Sequence, residues 1–306
     1  MKRIIGFLFL AIVVFLVVLA FIYRSTVGDF LYFARKEPLP APLAAKDIKK
    51  QNSQTAPLVP SGAEGLPIIK DQAEEVAGPV PSAVEEPQVQ EWEKANEAKM
   101  PLLAEINLAV PFTSQAPFTN WDLPYKESCE EASVLMLDYF YRGASLNPAL
   151  ANQEILKIVD WQKIKFGAYE DTDAAQTAQI LRDYFGYKNV RVSYDISIED
   201  IKKELALGRP VIVPAAGQLL PNPFFRQPGP LYHMLVIKGY KDGKFITNDP
   251  GTRRGADFLY SYEGLYNAIH DWNAGNVYAG RKAMIDGIII LTTNVRIITN
   301  IRILKS

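Results

Sequence analysis

The chain has 306 residues, is 48% hydrophobic, and carries 33 basic against 34 acidic side chains for a net charge of −1. That balance leaves no basic footprint for a nucleic acid, while the apolar content suffices for a real core. One cysteine cannot form an intrachain disulfide, and with two histidines, His233 and His270, composition speaks against a zinc cage; no metal or cofactor is expected.

The N-terminus reads MKRIIGFLFLAIVVFLVVLAFIYR, and residues 4–23 are uncharged and almost wholly apolar. Such a run is long enough to cross a bilayer of about 30 Å as a helix. A cleaved signal peptide would have a shorter apolar region, roughly 7–15 residues, and a small-residue cleavage site. Here the run ends in AFIYRS, and Tyr23 sits where an interfacial aromatic belongs. Residues 1–25 are therefore expected to be an uncleaved single-pass anchor in the cell membrane. Lys2 and Arg3 would lie on the cytoplasmic side and the rest of the chain outside.

Residues 26–100 follow as a Pro-rich tether. Between Glu37 and Ala98 there are nine prolines, many alanines and acids, and a single aromatic, Trp92. Such a segment buries too little apolar surface to offset its ordering entropy. As a flexible coil it would reach about 45 Å. A short helix over QVQEWEKANEAKM would precede the folded part.

The folded domain is expected over residues 101–295, with a tail of unassigned role at 296–306. INLAV reads as a short strand leading into the loop PFTSQAPFTNW. Over 129–142, Ala132, Leu135, Met136, Tyr139 and Phe140 make the stripe of a buried helix that Gly143 ends. A second helix is predicted over 173–185, ending at Gly186. NVRVSYD alternates like a strand, and SIEDIKKELALG carries a capping signal and a closing glycine. Strand-like runs follow: PVIVPAA, YHMLVIKGY, KFITND and KAMIDGIIIL. Helices first and antiparallel strands after predict an α+β domain.

The lone thiol lies in SCEEAS. Ser128 with Glu131 three residues on reads as a capping box, which puts Cys129 at the first helical position. There the helix dipole and free N–H groups favour a thiolate and can bind an oxyanion, whereas Glu130 and Glu131 raise a thiol pKa and call for a cationic partner. A buried cysteine is otherwise an inert small hydrophobe. The partner candidates are His233, at the start of an alternating strand, and His270, near a helix end. Asp249 in FITNDPG closes the next strand, and the Asp-Gly of KDGK reads as a hairpin turn. A level hairpin would hold His233 and Asp249 at one sheet end; alone, Asp249 is an ordinary Asx-turn residue. Gln115, upstream in the loop, can donate to an oxyanion beside the Cys129 N–H.

VPFTSQAPFTNWDLPYKESCEEAS, YHMLVIKGY and FITNDPG together resemble the C39-like cysteine peptidases, a branch of the papain-like fold, over roughly residues 105–290. The resemblance implies a helical N-terminal part packed on an antiparallel sheet and a peptide or protein substrate. It assigns Cys129 as nucleophile, His233 as base, Asp249 as the residue orienting it, and Gln115 as the oxyanion glutamine. The thiol of Cys129 should then point at the imidazole of His233. Relatives that cleave leader peptides usually carry glycine after the cysteine, where this chain has Glu130. Phe224, Phe225 and Tyr232 in AAGQLLPNPFFRQPGPLY read either as a groove wall for an apolar or extended peptide or as anchors of a surface loop. Three functions fit: an anchored extracytoplasmic peptidase, a cell-wall peptide amidase or transpeptidase, and a silent binding module of the same fold.

Overall fold

The computed structural model describes residues 12–19, 32, 34–45, 47 and 102–286. The ends of the expected anchor, most of the tether and the 296–306 tail lie outside them. The chain divides into a unit at Met1–Ala41 and a second at Pro42–Ser306. In the first, residues 12–19 are helical, with the side chains of Phe15 and Leu16 exposed. Among the described residues no helix is long and apolar enough to cross a membrane.

The second unit opens with β1 (Ile106–Asn107), then α1 (Cys129–Arg142), α2 (Pro148–Phe166) and α3 (Ala174–Gln179). β2 (Arg191–Tyr194), α4 (Ile198–Ala206) and β3 (Val211–Ala216) follow. The chain continues through β4 (Tyr232–Lys241), β5 (Lys244–Asn248), β6 (Phe258–Ser261), α5 (Tyr262–Ala268) and β7 (Ala283–Asp286). The strands form one antiparallel sheet in the order β2-β7-β3-β4-β5-β6, with β1 paired to β4. The fold is α+β with its helices leading, as the sequence predicts.

The predicted stripe of α1 is buried, but so is every other residue from Cys129 to Tyr141. The helix is thus enclosed rather than half-exposed. Leu135 and Tyr139 pack with Ala151, Ile155 and Val159 of α2, while Ser133 Oγ donates to the Met234 carbonyl of β4 at 3.3 Å. Gly143, at φ 61, closes the helix in the left-handed conformation that glycine takes readily.

α2 and β6 add to the elements predicted from the sequence. The signals for α2 were present: Asn147 accepts from Leu150 N at 3.0 Å, Pro148 opens the helix, and Ala151, Ile155, Ile158 and Val159 are its buried stripe. The helix predicted over 173–185 is instead α3 followed by a π-helical turn at Ile180–Tyr184. Ser197 and Asp200 form the expected capping box of α4. Inside β3, beyond the single β7 pair at Ile212, the Pro214 carbonyl accepts from His270 N at 3.1 Å and Ala215 bridges Ile269.

The β4–β5 hairpin turns at Asp242 and Gly243, with φ 46 and φ 77, the two positive values of a type I′ turn. Its register shifts between Ile237 and Gly239, leaving Lys238 as a bulge that pairs with Asp257 at 2.6 Å. β1 crosses so close at this point that a Cβ on Gly239 would stand 2.2 Å from the Ile106 carbonyl oxygen. Gly239→Ala is therefore expected to destabilise the domain by about 1–3 kcal/mol, read as a lower melting temperature.

Candidate active site

Four segments converge on one cavity of about 620 Å³, whose walls include Gln115, Cys129, Asp171, Phe225, His233 and Gly251. Cys129 is the first residue of α1, as expected, and its N–H has no acceptor among the described residues. The capping box is a correction. Ser128 follows a 3₁₀ turn at Tyr125–Glu127, so its hydroxyl donates back to the Pro124 carbonyl at 2.9 Å. Glu131 is drawn inward, where the Gln162 amide donates to it.

His233 and Asp249 are joined, His233 Nε2 standing 2.8 Å from Asp249 Oδ1. They are not level on the hairpin. Pairing ends at Val236–Asn248, so Asp249 directly follows the last pair while His233 lies further along β4. The 249–255 turn closes the gap. Asp249 N donates to the Gly255 carbonyl at 3.0 Å, and Gly251 N donates to Asp249 Oδ1 at 3.0 Å. Gly251 must lack a side chain, since a Cβ there would sit 2.8 Å from His233 Cε1 and 2.9 Å from Phe225 Cε1.

Asp249 has no exposed surface. Burial works against its charge, but the His233 imidazole, the Tyr260 hydroxyl and the Gly251 N–H outweigh it and hold the carboxyl below its ordinary value. Tyr260 OH donates to Oδ2 at 2.6 Å and Asn222 Nδ2 donates to it at 2.9 Å. An ionised Asp249 fixes the imidazole proton on Nε2 and leaves Nδ1 as the basic nitrogen. Phe225 packs edge-on against the His233 ring at 5.4 Å between centroids. Asn222, Tyr260 and Gly251 were missed in the sequence; only the density of turn residues and aromatics around them marks these stretches.

The thiol departs from expectation. Cys129 Sγ donates to Glu130 Oε2 at 3.1 Å, and no hydrogen bond links it to His233. Burial, then the charge and hydrogen bond of Glu130, then Glu131 push the Cys129 thiol well above its ordinary value; only the Met234 N–H acts to lower it. That N–H belongs to the residue after His233 in β4. Burial first, and the charges of Asp171 and Glu127 with it, push Glu130 up from 4.5 to about 8 against the lowering effect of its bond with the thiol.

Gln115 lines the cavity, and its N–H donates to the Pro250 carbonyl at 3.0 Å, tying its loop to the Asp249 turn. Its amide nitrogen donates to the carbonyls of Tyr125 and Lys126 at 3.0 and 2.8 Å, so both amide protons are occupied. Phe225 and Tyr232 line the cavity. Tyr232 is also anchored, its hydroxyl donating to the Thr172 carbonyl at 3.0 Å. Phe224 is not in the lining; its ring packs against Phe258 and beneath the Arg254 guanidinium. His270 lies past α5, where its N–H donates to the Pro214 carbonyl at 3.1 Å, outside the cavity lining. Among the described residues no cluster of His, Cys, Asp or Glu has the makings of a metal site.

A profile described as the peptidase C39-like family matches residues 107–278. The chain belongs to the peptidase C39-like family. Among solved structures it is similar to a candidate C39-like peptidase from Bacillus anthracis, at 18% identity and a TM-score of 0.42, over 61% of this chain and 98% of that one. No curated protein matches the chain. The profile spans Cys129, His233 and Asp249 in this C39-like domain and stops before β7.

Above pH 4.5 the unfolded chain has lost the Glu130 proton that the folded C39-like domain keeps until about pH 8. This contribution to stability is complete below 4.5 and is lost as pH rises through about 8. The melting temperature should therefore fall between about pH 5 and about pH 8, and Glu130→Gln should flatten that fall. Asp249, held below 3.8, acts in the opposite sense and only at more acid pH.

Proposed function

We propose that this chain is a cysteine peptidase that cleaves peptide bonds with Cys129 as nucleophile, His233 as general base and acid, and Asp249 as the residue orienting the imidazole. The observation carrying this reading is the buried 2.8 Å contact of His233 Nε2 with Asp249, in the cavity that Cys129 also lines. Substrate entry turns the thiol from Glu130 toward His233. Nδ1 then takes the thiol proton, and the thiolate attacks the carbonyl carbon. The Cys129 N–H holds the developing oxyanion, joined by the Gln115 amide once it releases one of its two carbonyls. His233 protonates the leaving amine, and water hydrolyses the thioester. Phe225 and Tyr232 line the peptide's path.

Cys129→Ala should abolish cleavage of a quenched fluorogenic peptide library, and His233→Ala should reduce it by about 10²-fold or more. Asp249→Asn should lower turnover while leaving the chain folded by circular dichroism. Cleavage undiminished in Cys129→Ala would remove the peptidase assignment.

The same proposal takes residues 1–25 as a membrane anchor, 26–100 as a tether and 101–295 as an extracytoplasmic catalytic domain. The apolar sequence of residues 4–23 and the exposed apolar side chains of the helical stretch at 12–19 support it. The full chain should stay with membranes through an alkaline wash. Protease added outside intact cells should cut the tether and release the catalytic domain.

A further inference from the structure

One side of the cavity is acidic in a way the proposed chemistry does not use. Glu127, Glu130 and Asp171 all line it, close enough for the first and third to act on the charge of the second. Glu127 is paired with the exposed Lys126 at 3.3 Å. Asp171, half-buried, has neither a hydrogen bond nor an ion pair among the described residues. It is held at φ 51, a left-handed conformation that aspartate tolerates better than most residues. Behind them Glu130 is 1% exposed; its Oε2 takes the thiol hydrogen bond, and its Oε1 has no hydrogen-bond partner among the described residues.

A carboxyl oxygen sealed in a cavity wall without a partner costs free energy comparable to a lost hydrogen bond, and a cation arriving beside Glu130 favours its ionised form. The missing partner has to be a donor, and beside two further carboxyls a positively charged donor is favoured most. Lys126 and Arg226 also line the cavity. Lys126 is committed to Glu127.

Resting on the peptidase reading, we propose that Glu127, Glu130 and Asp171 form a subsite for a positively charged group of the peptide substrate beside the bond to be cut. The group is an ammonium or a guanidinium, from a lysine or arginine side chain or from a free peptide N-terminus. Its arrival gives Glu130 a stronger partner than the thiol. The Cys129 S–H is thereby released to turn to His233, so the substrate's charge both places it and frees the nucleophile.

The test uses quenched peptides that differ only beside the scissile bond, carrying lysine, norleucine, arginine or citrulline, each with a free or an acetylated N-terminus. Wild-type protein, Asp171→Asn and Glu130→Gln are compared by kcat/KM, and Cys129→Ala binds the same peptides in a calorimeter at low and high salt. The charged peptides should be preferred over their neutral isosteres by about tenfold or more, and each carboxyl substitution should erode that ratio. A preference that follows the side chain, or one lost on acetylation, supports the subsite and identifies which amine it takes. Equal kcat/KM for charged and neutral peptides overturns the subsite and leaves the peptidase reading standing. No cleavage of any peptide, with charge-dependent and salt-sensitive binding to Cys129→Ala, overturns the peptidase reading and keeps the subsite. Binding indifferent to charge overturns the subsite.

Discussion

A carboxylate with no accessible surface stays ionised only if donors replace the water it has lost. Asp249 meets that condition with four, His233 Nε2, the Gly251 N–H, Asn222 Nδ2 and the Tyr260 hydroxyl. Each comes from a different part of the chain: β4, the turn after β5, the long loop after β3, and β6. The imidazole's position is therefore fixed by four segments at once. Loss of any one donor leaves its oxygen a single partner and the buried charge under-compensated, at a cost of about 1–3 kcal/mol. Stability and the orientation of His233 are the same problem in this fold. The glycines at 251 and 255 show how tightly it is solved, since a Cβ at 255 would stand 1.7 Å from the Asp249 carbonyl oxygen.

The electrostatics at the tip of α1 pull in two directions, and magnitudes decide between them. A helix N-terminus favours an anion by about 0.3–1 kcal/mol, or up to about 2 when partly buried. Full burial can move a pKa by up to about 3–5 units, each worth about 1.4 kcal/mol. Burial and two adjacent glutamates therefore win, and Cys129 is held as a thiol bonded to Glu130. In the proposed mechanism the nucleophile is formed by proton transfer to His233 when substrate arrives, and the dipole contributes chiefly through the Cys129 N–H.

Much of this was legible in the sequence because local rules govern it. The apolar stripe and Gly143 delimit α1, Asp242-Gly243 fixes the β4–β5 turn, and one strand-borne histidine near an Asp-Pro-Gly turn leads to the His233–Asp249 pair. Long-range packing hid the rest. Ser128 and Glu131 have the spacing of a capping box, but a 3₁₀ turn and a buried Gln162 claim their side chains. The bulge at Lys238 sits where β1 crosses close to Gly239, a tertiary contact that no hairpin rule contains. Asn222 and Tyr260 reach Asp249 only through tertiary contact, so nothing in their own neighbourhoods singles them out. Phe224 and Phe225 are adjacent, yet Phe225 faces His233 and Phe224 faces Phe258.

The central claim is that His233 activates Cys129. It is tested most directly by following alkylation of Cys129 with a peptidyl epoxide, read by mass spectrometry as a function of pH, in wild-type protein and in His233→Ala. Rapid labelling that collapses without the imidazole is the result the account predicts. Equal rates in the two proteins would contradict it, leaving the thiol a buried side chain with no chemistry of its own.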